Sequence, residues 1–323
     1  MKKPRILWNA GLVAALFFSA CDDEPLPPES SAPTDPNAPF SCADIGGKEI
    51  RFLAHEDGIE NVPFKVGRAR DAYYNFTFRA PWTRPVYAKI VAPVIDNDQV
   101  LHHWLFYKND SSADGHLRVE ESSGAHLQGE LVNGWAPGGS THYYENDVGR
   151  VLEPGWYNLE VHYNSNDRNA EDRSGIYLCY VEEKPKNIAE LVWLGKDQLT
   201  RERVWTGECE PRGPFPIHIL SVTPHMHVDG RWMKAVINRA DGTKEILHDQ
   251  PFNFDAQVTW DFKEDVLLYR GDTITTTCTY ARPQRFGTGT EDEMCYLYTT
   301  AWPEKALRSS SLIGIIHGPN TCL

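Results

Sequence analysis

The feature that most constrains the fold of this chain is a succession of short apolar or alternating segments separated by turn residues. In the first half these segments are Tyr73–Phe78, Val86–Val91, Leu101–Tyr107, Trp156–Tyr163 and Gly175–Val181. In the second half they are Ile217–Val222, Trp232–Asn238, Thr243–Leu247, Gln257–Phe262, Thr273–Tyr280 and Cys295–Trp302. Turns such as the GWAPGG run at 134–139 lie between them, and no stretch keeps a helical period over several turns. We therefore predict an all-β protein of β-sandwich or jelly-roll type.

Length and charge limit the organisation and the partners of such a chain. Because 323 residues exceed one comfortable core, we expect two tandem sandwich domains, over residues 42–185 and 186–323. The charged, proline-containing piece Lys184–Asn187 is the natural boundary. The formal net charge of −13 argues against nucleic acid as a partner, since no basic patch would offset repulsion from the phosphates.

The N-terminus has the layout of an export signal. Three cations among the first five residues precede an apolar run over residues 6–20, which is too short for a stable membrane span. The run ends FSAC at Phe18–Cys21, which resembles a bacterial lipobox in which Cys21 is lipidated, although leucine is usual at the position of Phe18. Residues 22–41 contain six prolines and predict an extended tether. We expect a periplasmic or cell-surface lipoprotein that meets the membrane only through its lipid anchor, or else a secreted protein.

Six cysteines remain once Cys21 is set aside. Export places them in an oxidising compartment, where cysteines are read first as disulfides. Cys42 and Cys179 bracket one segment of domain size, Cys209 and Cys322 bracket another, and Cys278 and Cys295 lie inside the second. Six cysteines allow about fifteen pairings, so the sequence does not choose among them. The absence of a CxxC spacing argues against a thiolate metal site.

The histidines supply candidate metal ligands at three places. His225 and His227 are two residues apart, so on an extended strand they point to the same side while Met226 points to the other. The adjacent His102 and His103 face opposite sides of a regular strand. Both reach one metal ion only through a twist, a bulge or the use of different ring nitrogens; otherwise one is buried and one exposed. His162 shares a strand face with Glu160, and by itself it is an ordinary polar residue of a sandwich.

One methionine is placed as a metal ligand would be. A thioether suits copper that must be stable as Cu(I), because soft sulfur favours that state. Met294 follows the polar, glycine-bearing loop at 287–293 and directly precedes Cys295, which is an unusual place for a core residue. Since Met226 faces away, Met233 and Met294 are the methionines that could join His225 and His227, and the position of Met294 favours that residue.

Taken in chain order, five motifs resemble the copper type II, ascorbate-dependent monooxygenases, the family of dopamine beta-monooxygenase and peptidylglycine alpha-hydroxylating monooxygenase. The motifs are His102-His103, the GWAPGG run, LEVHY with His162, His225-Met226-His227 and the run Asp292–Tyr298. The resemblance covers roughly residues 42–323. It implies two jelly-roll sandwiches that face each other across a cleft, and the disulfides Cys42–Cys179, Cys209–Cys322 and Cys278–Cys295.

The resemblance also implies two copper ions per chain. His102, His103 and His162 would hold the copper that supplies electrons. His225, His227 and Met294 would hold the copper that activates dioxygen. The implied reaction is hydroxylation of a C–H bond of a small organic substrate, with O2 and a one-electron reductant such as ascorbate, in a protein that we expect to be a monomer.

The departures from the family pattern concern the substrate. Thr223 stands where the peptide-processing enzymes have an arginine, and Tyr296 stands where they have an asparagine, so a peptidylglycine substrate is not expected. Tyr298 matches the family tyrosine, and Glu160 resembles the dopamine enzyme; we expect both to act beside the ligands. A copper-binding lipoprotein that stores or delivers the metal is the alternative, because it needs the same ligands. A metal-free adhesion or glycan-binding module would leave the ordered ligand set unexplained.

Overall fold

A computed structural model describes residues 38–56, 61–70, 72–109, 118–120, 129–211, 213–287, 292–307 and 321–322. These residues form strands, turns and loops without an α-helix, which confirms the all-β prediction. Accordingly, no helix among them is long and apolar enough to cross a membrane. The predicted signal run, Cys21 and the tether up to residue 37 lie outside the described residues and stay predictions.

The strands of the first half are named β1 to β12. They are Lys48–Leu53, Phe64–Lys65, Ala72–Arg79, Val86–Val94, Leu101–Lys108, Arg118–Glu120, Glu130–Trp135, His142–Tyr143, Val148–Leu152, Trp156–Tyr163, Glu171–Asp172 and Gly175–Val181. The strands of the second half are named β13 to β21. They are Asn187–Gly195, Glu202–Cys209, Ile217–His225, Gly230–Asn238, Lys244–Pro251, Trp260–Leu268, Thr273–Gln284, Tyr296–Trp302 and Thr321–Cys322.

The first half is a pair of sheets packed face to face. One layer has the strand order β1-β12-β4-β9, and the other has the order β6-β3-β10-β5-β7. The core between the layers contains Phe52 and Ile176 from the first layer and Phe76, Trp104 and Leu159 from the second. Because strand side chains alternate, the residues between these core positions face away from the core. The outer face of the five-stranded sheet is thereby available to line a site.

The second half repeats this arrangement with its own core. Strands β13-β20-β15-β18 form one layer, and β14-β19-β16-β17 form the other. Val222 and Leu297 come from the first layer, and Trp205, Met233 and Ile237 from the second. Two sandwich layers around each of two cores agree with the predicted β-sandwich class. Jelly-roll connectivity in each half stays a prediction.

One strand pair joins the halves. β13 runs parallel to β9, with Asn187 opposite Val148, so that the two layers become one ten-stranded sheet. The described residues form one compact unit. The predicted boundary near residue 185 lies just before β13, and the division into two domains stays a prediction.

The three disulfides follow the pairing that the resemblance implied. They are Cys42–Cys179, Cys209–Cys322 and Cys278–Cys295, with Cα–Cα distances of 5.7, 5.2 and 5.8 Å. These distances lie in the ordinary range for disulfides. The pairing is therefore confirmed.

Two local predictions were wrong. Gly134 and Trp135 are the last residues of β7 rather than part of the predicted turn. The predicted strand Gln257–Phe262 begins only at Trp260, because the preceding residues form a loop. In that loop the Gln257 amide donates to the Pro137 carbonyl instead of to a neighbouring strand.

Candidate metal centre

A cleft lies between the outer face of the five-stranded sheet and the outer face of β13, β20 and β15. It encloses about 1410 Å³ of empty space, part of it open to solvent. On β5, Trp104 and Phe106 are fully buried in the core, so His103, Leu105 and Tyr107 face the cleft. The alternation of side chains on a strand produces this wall.

The opposite wall is aromatic and polar. Across the ladder, Thr223 lies opposite Tyr298, and His225 lies opposite Tyr296. Trp193 of β13 pairs with Tyr298 on the other side, and all five residues line the cleft. Neighbouring residues at the same register share a sheet face, which is why these side chains form one continuous surface.

A bulge brings His102, His103 and His162, the first histidine group, together. His103 pairs with His162, but Leu101 pairs with Tyr163, so His102 is an extra residue on β5. Such a bulge turns two successive side chains toward one side. The Nδ1 atom of His102 lies 3.0 Å from that of His103 and 3.1 Å from that of His162. The structure therefore contains the bulge, and not the alternative arrangement with one histidine buried and one exposed.

The first histidine group fits a metal ion by spacing and by charge. Its candidate ligand atoms all lie within 4.8 Å of one another. Imidazole nitrogens bound at about 2.0–2.1 Å in a tetrahedral site stand roughly 3.3 Å apart, close to the observed spacing. Burial, followed by His162 and His102, holds the pKa of His103 well below its usual value. A neutral imidazole is the form that binds a metal ion.

His225, His227 and Met294, the second ligand group, lie at the end of β15 and beside β20. His225 is the last residue of β15, and His227 follows just outside the strand. Met226 between them is fully buried in the core, as the alternation predicted. His225, His227 and Met294 all line the cleft.

Hydrogen bonds fix the rings of the second ligand group. The Nδ1 of His225 donates to Oε1 of Gln257 at 2.8 Å, and the Nδ1 of His227 donates to the Asp292 carbonyl at 3.1 Å. These bonds make Nε2 the ligand atom of each ring, as is usual for metal-binding histidines. Burial, reinforced by His227, lowers the pKa of His225 to about 3, so this ring is neutral at physiological pH.

The segment before β20 is tied to the histidines by Glu293, a buried carboxylate. Its Oε2 accepts from the backbone N–H of His227 at 2.8 Å, and its Oε1 accepts from that of Asp229 at 2.7 Å. The hydroxyl of Tyr280 donates to the carbonyl of Met294 at 2.7 Å. The disulfide of Cys295 fixes the next residue along the chain. Met294 is therefore held in place from both sides.

The two groups face the same space. After burial and the histidines of its own group, His225 and His227 also lower the pKa of His103, which reflects their proximity to it. The ring of Tyr298 stacks on His225 with centroids 5.1 Å apart. Glu160 is buried on β10 and lines the cleft, and burial, followed by Glu160, raises the pKa of Tyr107. Of the predicted site residues, the cleft is lined by His103, Glu160, His225, His227, Met294 and Tyr298, and His102 and His162 adjoin it through their contacts with His103.

The second half of the chain matches a known family. A family model described as the copper type II ascorbate-dependent monooxygenase, C-terminal domain, matches residues 198–311. That range contains His225, His227 and Met294. Residues 198–311 are thus similar to the C-terminal domain of the copper type II, ascorbate-dependent monooxygenases. This similarity indicates copper as the metal.

Individual members of the family match across both halves. DBH-like monooxygenase protein 1 of Homo sapiens is 29% identical over 252 residues, covering 66% of this chain and 41% of that protein. Putative DBH-like monooxygenase protein 2 of Homo sapiens is 26% identical, covering 67% of this chain and 50% of that protein. Dopamine beta-hydroxylase of Rattus norvegicus is 26% identical, covering 65% and 40%. The chain thus spans half or less of the length of these relatives.

Sequence reasoning missed three supporting residues. Gln257 was assigned to a strand, Glu293 was read only as part of an acidic loop, and Tyr73 was not considered. The Tyr73 ring stacks on His162 with centroids 4.1 Å apart and the planes parallel within 1°. The position of Glu293, an acid directly before the candidate ligand Met294, could have indicated its supporting role. The contacts of Gln257 and Tyr73 are long-range and leave no local pattern.

Glu293 predicts a specific pH dependence of stability. Burial, assisted by Asp229, raises its pKa from 4.5 to about 7, against the lowering effect of its backbone hydrogen bonds. Between these values the folded state binds more protons than the unfolded state, so stability falls as pH rises through this window. The contribution is on the order of 3 kcal/mol across the window.

A variant without an ionisable group at this position tests the prediction. Glu293→Gln cannot ionise, so its unfolding free energy should fall less between pH 4.5 and 7, as measured by chemical denaturation of chelator-treated protein. Equal slopes in the two proteins would rule out this role for Glu293.

Proposed function

We propose that this protein is a copper-dependent monooxygenase. It hydroxylates a C–H bond of a small organic substrate with O2 and a one-electron reductant such as ascorbate. The observation that carries the proposal is a cleft lined by His103 of the first histidine group and by all three members of the second ligand group; the two groups differ in composition. One group offers three imidazoles within 4.8 Å, and the other offers two oriented imidazoles with a methionine in the same lining.

The two groups suit different tasks in this reaction. Inserting one atom of O2 into a C–H bond consumes two electrons and two protons, and the second oxygen atom leaves as water. Copper bound at both groups would activate dioxygen at the methionine-containing group and supply one electron from each. Three protein ligands leave further coordination positions open, as catalytic sites require. The thioether of Met294 favours the reduced state of copper.

The remaining cleft residues would bind and orient the substrate. Trp193, Tyr296 and Tyr298 supply aromatic walls, and buried Glu160 supplies a carboxyl group. Among the described residues, no lysine or arginine lines the cleft. A carboxylate substrate would find no cationic partner there, whereas a neutral, aromatic or amine-bearing molecule meets stacking surfaces and an acid.

The disulfides also bear on where the protein works. The three disulfides are typical of an oxidising compartment. We propose that the chain works outside the cytoplasm as a monomer, attached to a membrane only through lipidated Cys21 or else secreted.

Metal analysis tests the two ligand groups directly. We expect two copper ions per chain in the unaltered protein, one in His102→Ala and one in His225→Ala, because each substitution removes one ligand from a different group. His248→Gln alters a histidine outside the cleft lining and should keep both ions. The count is read by elemental analysis after dialysis. If the double variant His102→Ala/His225→Ala still bound one copper ion, both substitutions would affect the same ion, and the assignment to two groups would be contradicted.

Turnover separates the enzyme from a copper carrier. We expect ascorbate-dependent oxygen consumption that rises with substrate and is coupled to a hydroxylated product. Two bound copper ions without turnover across a broad panel of aromatic and amine-bearing compounds would instead favour storage or delivery of the metal.

A further inference from the structure

The loop at residues 252–259, between β17 and β18, contacts a histidine of each group; we name it the bridging loop. The ring of Phe254 lies 4.8 Å from the ring of His102, centroid to centroid. Oε1 of Gln257 accepts the hydrogen bond from Nδ1 of His225 at 2.8 Å. His102 belongs to the first half of the chain and the loop to the second. One short segment therefore reaches both metal-ligand groups.

The bridging loop is held in shape by its own hydrogen bonds. Nε2 of Gln257 donates to the carbonyl of Phe254 at 3.3 Å, which couples the two contact residues. Oδ1 of Asn253 accepts from the backbone N–H of Asp255 at 3.1 Å, and the Ala256 N–H donates to the Asn253 carbonyl at 3.2 Å. Gln257 is buried. The two contact residues are therefore joined to each other within the loop.

The bridging loop is also docked on the first half. The backbone N–H of Gln257 donates to the Pro137 carbonyl at 2.8 Å. A Cβ built on Gly138 would lie 3.1 Å from Cγ2 of Val258 and 3.6 Å from Cα of Ala256, so the two loops are in close contact. Gly138 also has a φ of +92°, which disfavours a side chain. The loop is thus anchored to the half that carries the first histidine group.

We propose that the bridging loop sets the position of the two metal groups relative to each other, with Phe254 and Gln257 as positioning residues. Phe254 packs against His102 from the opposite half, and Gln257 fixes the ring of His225. The inference rests on the proposed function, since it needs metal at both groups. Its distinctive consequence is that a substitution in the second half changes the copper site of the first half.

The test uses Cu(II) as the probe and a background with one site. His227→Ala removes a ligand of the second group while leaving the contact between Gln257 and His225. In that background, Phe254→Ala should weaken Cu(II) binding at the first group by about tenfold, as loss of an orienting contact does elsewhere. The Cu(II) electron paramagnetic resonance spectrum should change as well. Phe254→Leu, which keeps an apolar contact, should show a smaller change.

The matched control is Asp255→Ala, an exposed neighbour in the same loop. It should leave the affinity and the spectrum of the first site unaltered. In the chain with both sites, Phe254→Ala should also weaken the dipolar coupling between the two Cu(II) ions. If Phe254→Ala left the affinity and the spectrum of the first site unchanged, or if Asp255→Ala changed them equally, the inference would be overturned and the proposed function would stand. Failure of the unaltered protein to bind copper would overturn both the proposed function and the inference.

Discussion

Met294→Leu is expected to lower the rate of hydroxylation by at least about 100-fold while leaving the fold intact. Leucine is close to methionine in volume, so the cost in stability should stay below about 1.5 kcal/mol. The substitution removes the sulfur that favours reduced copper, and nothing else in the side chain replaces it. Initial rates of product formation at saturating ascorbate, with thermal unfolding of the same samples, measure both quantities.

The control is Met226→Leu, the same substitution at the methionine between His225 and His227. Met226 is fully buried and packs in the second core, away from the cleft. Its variant should keep copper and retain activity within about twofold, because a volume-conserving core change is well tolerated. Full activity in Met294→Leu would remove Met294 from the second ligand group.

Glu293→Ala is expected to cost about 2–6 kcal/mol of stability and to abolish the second copper site. The carboxylate accepts from the backbone N–H groups of His227 and Asp229 in a fully buried position. Each donor left without its partner costs about 1–3 kcal/mol. The midpoint of thermal unfolding should drop by roughly 10 °C. His227 would lose its backbone anchor, so copper should fall from two ions to one.

The comparison for Glu293→Ala is Glu264→Ala, an exposed acid on β18. A surface change of this kind should stay within about 0.5 kcal/mol and keep both copper ions. Calorimetry and elemental analysis of the two variants give the answer. A Glu293→Ala protein as stable as the unaltered protein, with two copper ions, would show that the carboxylate does not hold the loop.

The parts of the site that the sequence predicted are those governed by local geometry. Alternation on a strand is a property of each residue and its neighbours, so the shared face of His225 and His227 and the burial of Met226 followed from the sequence. The recurrence of short segments between turns predicted the all-β class in the same way. The pairing of the six cysteines came only from the family resemblance, because spacing alone leaves it open.

The remaining features depend on contacts between distant residues. Whether His102 and His103 share a side is decided by the register shift opposite His162 and Tyr163, which no local pattern encodes. The parallel pairing of β13 with β9 joins the halves through residues about forty positions apart. Gln257 was predicted in a strand because its neighbours are β-prone, yet its amide bonds to Pro137 from the first half. Tertiary hydrogen bonding overrode local preference there.

Product identification with isotopic oxygen tests the central claim most directly. The copper-loaded protein, reduced with ascorbate, would be incubated with a metabolite pool under ¹⁸O2 and the mixture compared by mass spectrometry with a sample containing Met294→Leu. We expect a product in which a hydroxyl group containing one ¹⁸O atom replaces one hydrogen of its precursor. This product should be present with the unaltered protein and absent with the variant. Two bound copper ions with no ¹⁸O-containing product from any compound in the pool would contradict a monooxygenase.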